Sequence, residues 1–104
     1  MSELGAKRKL FTKCVCKLLQ VMLEAGYEPM LGKDGLKHMA GSLHYEGLAV
    51  DIDLTKDGVY LTDPMDHYAF GVFWESLNNQ CRWGGRFKKG ADGNHYSITY
   101  GGRA

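Results

Sequence analysis

The chain has 104 residues, 44% of them hydrophobic and 24% charged, a composition that fits one folded domain and argues against wholesale disorder and a coiled coil. Its net charge of +1, from 13 basic and 12 acidic residues, argues against a nucleic-acid partner, because domains that live on phosphate contacts are usually strongly basic. No apolar run approaches the roughly 18–20 residues needed to span a bilayer, so no membrane insertion is expected, and Thr12, Lys13, Lys17 and Gln20 interrupt the apolar N-terminal stretch where a secretory signal should be continuous.

In chain order, residues 5–25 carry Phe11, Val15, Leu18 and Met22 on one stripe, with Leu10, Cys14, Leu19 and Leu23 beside it. That 3.6-residue period predicts an amphipathic helix, with Gly26 as its C-terminal stop. Cys14, Cys16 and Cys81 make no C-x-x-C pair, which excludes a zinc ribbon and a thioredoxin-like motif. They read as reduced, mostly buried small hydrophobes, so no disulfide staples this small chain. Residues 27–41 hold Pro29, Gly32 and a Lys33-Asp34-Gly35 turn signal and read as loop with one short strand. Over 48–54, Leu48, Val50, Ile52 and Leu54 alternate with Ala49, Asp51 and Asp53, the period of a strand. Asp57-Gly58 supplies a hairpin turn into a partner strand at 59–61. A second helix is expected over about 66–79, with Phe70, Phe73, Trp74 and Leu77 on its apolar face. Glycine-rich loops follow at 83–87 and 90–93. A last alternating stretch at 95–100 puts His95, Ser97 and Thr99 on one face. The order of elements predicts a single α+β domain over 1–104, a small antiparallel sheet with two main helices.

The polar faces of the two alternating segments are where chemistry collects. If the strands at 48–54 and 95–100 pair, Asp51 and His95 come side by side, and Gly47 lets the chain turn His44 back toward them. Two imidazoles and one carboxylate form an open zinc set, with three protein ligands and one position left for water. Taken singly, each has an ordinary reading as a loop histidine or a solvated aspartate. His38 and His67 are placed in that ordinary class.

The wording of the segment is more specific than its pattern. Residues 42–51, SLHYEGLAVD, satisfy S-x-H-x-x-G-x-A-x-D at every fixed position. With Asp57-Gly58 and the run after it, Phe73-Trp74-Glu75-Ser76-Leu77, Trp83-Gly84-Gly85-Arg86-Phe87 and Asp92-Gly93-Asn94-His95, the stretch 42–97 resembles the zinc peptidases of the D-Ala-D-Ala carboxypeptidase and L-alanyl-D-glutamate endopeptidase family, which includes phage endolysins. The resemblance implies the hedgehog/D-Ala-D-Ala-peptidase fold, Zn2+ held by His44, Asp51 and His95, and Asp92 as the general base. Ser42 is then expected to fix the ligand loop. Asp53 is either a residue orienting a ligand histidine or a solvated side chain, and Trp83 either a wall of the substrate cleft or core packing. The implied activity is hydrolysis of peptidoglycan stem peptides at the L-alanyl-D-glutamate bond, by a monomer without a separate wall-binding domain. Such a protein would accumulate in the host cytoplasm and reach the wall after a membrane lesion. A D-Ala-D-Ala carboxypeptidase, a non-catalytic zinc-containing wall-binding module and, against the neutral charge, a metal-dependent nuclease are the alternatives. One departure stands out: relatives carry an arginine before the S-x-H motif, whereas 27–41 has none, leaving Lys33 or Lys37 to stand in, though neither offers a bidentate fork.

Overall fold

The computed structural model describes residues 2–32 and 42–104; Lys33, Lys37 and His38 lie outside them. Helix α1 (Glu3–Glu24) starts where the Ser2 hydroxyl accepts the Gly5 N–H at 3.0 Å. It buries Phe11, Cys14, Leu18 and Met22; the expected stripe holds, with Cys14 deeper than Val15. At its end Gly26, at φ +88°, donates to the Leu23 carbonyl while Tyr27 donates to that of Met22, the paired bonds of a Schellman stop.

Strand β1 (Glu28–Leu31) pairs with β2 (Ala49–Lys56), and β3 (Val59–Leu61) folds back onto the end of β2. Asp57 and Gly58, at φ +53° and +78°, make the two-residue turn that the Asp-Gly pair signals. Helix α2 (Tyr68–Leu77) leads to β4 (Cys81–Trp83), and β5 (His95–Ile98) enters between β4 and β2. The order is β1-β2-β5-β4 with every pairing antiparallel. The two helices and the small antiparallel sheet are the expected α+β architecture.

The core centres on Trp74, which is fully buried and meets Phe11 and Tyr96 edge to face, with ring centroids 5.8 Å apart in both pairs. Its indole N–H donates to the carbonyls of Arg82 and Ser97, so α2 is tied to β4 and β5 as well as packed on them. Ile52, Leu54 and Ile98 are fully buried around it. Side chains of this size contribute roughly 1.5–3 kcal/mol each when removed from water. No helix among the described residues is long and apolar enough to cross a membrane.

Three local expectations are corrected. The second helix is shorter than 66–79: Asp63 caps a 3-10 turn (Pro64–His67) by accepting the Met65 N–H, α2 begins at Tyr68, and Asn78 is extended. Residues 81–83 form an edge strand, held by pairing with β5 rather than by any pattern of their own. The last strand ends at Ile98, and both of its faces are buried, Ser97 completely. Of the cysteines, Cys14 and Cys81 are buried with their sulfurs 4.0 Å apart, while Cys16 is exposed.

Candidate metal centre

The register of β2 on β5 sets Asp51 directly opposite His95, as the alternation predicts. His44 arrives from a 3-10 turn (Leu43–Glu46) whose two ends are both specified. The Ser42 hydroxyl accepts the His44 N–H at 3.2 Å, and Gly47, at φ +72°, stops the turn in the left-handed conformation that glycine adopts without strain. Ser42 thus holds the backbone of the turn that carries His44.

His44 Nε2 lies 3.5 Å from Asp51 Oδ1 and 3.3 Å from His95 Nδ1, and His95 Nδ1 lies 3.7 Å from the same Asp51 oxygen. A tetrahedral ion bonded at about 2.0–2.1 Å requires donor atoms about 3.3–3.4 Å apart. The three edges match that triangle with small adjustments. The side chains are 14%, 23% and 9% exposed for His44, Asp51 and His95, largely sheltered from solvent. The set therefore fits a divalent metal with an open coordination position.

Asp92 belongs to a loop rather than to the sheet, and its placement rests on close packing. Its N–H donates to the Gly84 carbonyl at 2.9 Å, and its own carbonyl accepts the His95 N–H at 3.1 Å. A Cβ on Gly84 would come within 2.3 Å of the Asp92 carbonyl oxygen and 2.7 Å of the His95 Cβ. The next residue, Gly93, lies against Pro64 and accepts the Trp83 indole N–H at 2.7 Å. Trp83 is seated between Gly71 and Gly85, either of which would drive a Cβ into the ring at 2.2 Å. Trp83 is buried with the core cluster and is not among the residues lining the neighbouring cavity, and it supports the Asp92 loop from inside. Glu75 completes the support by accepting the Trp83 N–H and pairing with Arg86.

Asp53 shares the face of Asp51, two residues along β2. Its carboxylate accepts from the Asn94 side chain at 3.2 Å and from the Tyr60 hydroxyl, and that bond and the nearby negative charge push the Tyr60 phenol up. A cavity of about 330 Å3 opens here, and Asp53, Asp63, His67, Asp92 and Asn94 are among its lining residues, Asn94 being the neighbour of His95 in the chain. His67, read from sequence as ordinary, is 3% exposed in that wall. No local signal marks it, because its partner, Tyr96, lies 29 residues away.

No family model matches the chain, and comparison with curated proteins finds no match. Among solved structures, the chain is similar to the Serratia marcescens L-Ala D-Glu endopeptidase ChiX. The TM-score is 0.62 with 21% sequence identity, over 85% of this chain and 79% of that one. The two proteins share a fold.

Proposed function

We propose that this chain is a zinc-dependent peptidase that hydrolyses the peptide stems of bacterial peptidoglycan, with the L-alanyl-D-glutamate bond as its target. The observation that carries the reading is the His44–Asp51–His95 donor triangle, standing on a fold shared with an L-Ala D-Glu endopeptidase. His44, Asp51 and His95 would hold the ion, which when bound supplies Lewis acidity toward a carbonyl and a water.

The chain's own residues do the rest. Asp92 accepts a proton from the attacking water as its oxygen bonds to the scissile carbonyl carbon. It returns that proton to the departing amine as the C–N bond breaks. The Gly84 and Gly93 contacts hold the backbone of Asp92, so the carboxylate meets substrate from a fixed base. Ser42 holds the His44 loop, and Asp53 anchors Asn94, the residue before His95. The substrate peptide lies in the cavity that Asp53 and Asp92 line.

Mass analysis of muropeptides after digestion with zinc-loaded protein tests this. Stem peptides beginning at D-glutamate, with L-alanine left on the glycan, are expected. Free alanine released from stem ends would replace the endopeptidase reading with a D-Ala-D-Ala carboxypeptidase. No product from protein that carries zinc would leave a non-catalytic wall-binding module.

A further inference from the structure

His67 has no part in the scheme above, yet it occupies the wall of the substrate cavity together with Asp92. It ends the 3-10 turn that Asp63 and Pro64 begin, so its backbone is fixed from one side and its ring from the other. Nδ1 lies 2.8 Å from the hydroxyl of Tyr96, and Tyr96 is fully buried on β5. Burial holds the imidazole below its ordinary value of 6.5, against the opposing charges of Asp66 and Asp53, so the ring is neutral at neutral pH. A buried phenol must donate its proton to an acceptor, and Nδ1 is the acceptor at hand. With the Tyr96 hydroxyl as donor to Nδ1, the ring proton resides on Nε2.

We infer that His67 is a substrate-binding residue whose Nε2–H donates to a peptide carbonyl oxygen of the stem lying in the cavity, with Tyr96 as the positioning residue that fixes its tautomer. The charge of the surroundings selects the ligand. Asp53, Asp63 and Asp92 line the same cavity, so a carboxylate brought to His67 would meet three negative side chains, whereas an amide carbonyl carries no net charge to repel. A neutral donor also keeps its hydrogen bond without competing with the metal set for the catalytic carboxylate. The inference rests on the peptidase reading for its substrate and adds one contact to it.

The test combines steady-state kinetics on peptidoglycan stems with 15N NMR of the histidine rings, in zinc-loaded protein. Loss of a neutral hydrogen bond predicts that His67→Ala raises KM about three- to tenfold with kcat and zinc content maintained. His67→Gln, which retains a side-chain N–H donor, should recover most of that loss. Tyr96→Phe should give a smaller rise in KM and a mixed tautomer signature at His67, which a purely structural tyrosine would not produce. In the Asp92→Asn protein, a stem tetrapeptide should shift the Nε2 resonance of His67. An unchanged KM in His67→Ala, a proton found on Nδ1, or tetrapeptide binding that leaves the His67 resonance unmoved would each overturn the inference. Should His67→Ala not fold, the tautomer and the tetrapeptide titration still decide it. Wild-type protein that cleaves nothing while the tetrapeptide still moves His67 would remove the peptidase reading and leave the contact standing. Normal cleavage with an unmoved KM would do the reverse.

Discussion

The two sides of the centre are built by different means. On the ligand side, Asp51 and His95 meet because β2 and β5 pair in register, and backbone hydrogen bonding does the positioning. On the side of Asp92 there is no strand at the loop itself. The loop is held by a buried indole seated against Gly71 and Gly85, and by the close approach of Gly84 and Gly93 to neighbouring backbone. A sheet register is set by backbone hydrogen bonds, whereas a steric seat is sensitive to any added side-chain volume. On the proposed roles, metal binding and proton transfer should be separable by mutation, with the second the more fragile.

The largest expected effect breaks the ligand side alone. Asp51→Ala removes one of three donors and should abolish tight zinc binding and reduce hydrolysis to that of the metal-free protein, read by metal content and muropeptide release. Retained stoichiometric zinc would show that the triangle is not the metal site. Next in size is removal of the ion from the wild-type protein. His44, Asp51 and His95 come from separate segments, so the ion should staple the fold, contributing about 2.7 kcal/mol at a hundredfold excess over Kd. Chelation should lower Tm accordingly; an unchanged transition would mean that the core suffices without the staple.

Gly84→Ala probes the other side. Overpacking against the Asp92 carbonyl and His95 Cβ should cost about 1–3 kcal/mol, or several degrees of Tm in a domain of this size. Hydrolysis should fall more steeply than zinc affinity. Equal losses in both would erase the distinction between the two sides. Ser42→Ala is the mildest test. Losing the hydrogen bond to the His44 N–H should cost about 1 kcal/mol and weaken zinc binding modestly, as seen by competition with a chelator. An unaltered affinity would show that Gly47 alone sets the turn.

The same contrast explains which parts were legible in the sequence. Alternation along 48–54 and 95–100, with the S-x-H-x-x-G-x-A-x-D wording, is local information, and it points to His44, Asp51 and His95, which the fold brings together. The Asp-Gly hairpin and the Gly26 stop were legible for the same reason, since each is specified within a few residues. The seat of Trp83 was not. Its walls come from Gly71, Gly85 and Gly93, and no spacing relates a glycine in a helix to an indole on an edge strand. Strand β4 is three residues long and exists because β5 pairs with it. His67 looked ordinary because the residue that its ring nitrogen bonds lies far along the chain, on β5. Asp53 left two readings open, and only the tertiary contacts with Asn94 and Tyr60 show what its carboxylate engages.

The division of labour is tested most directly by Asp92→Asn, measured for zinc content and for muropeptide release on one preparation. General-base catalysis predicts one zinc per chain, as in the wild-type protein, with hydrolysis reduced by about 10²–10⁴-fold. Hydrolysis at the wild-type rate, or zinc lost together with activity, would contradict the account.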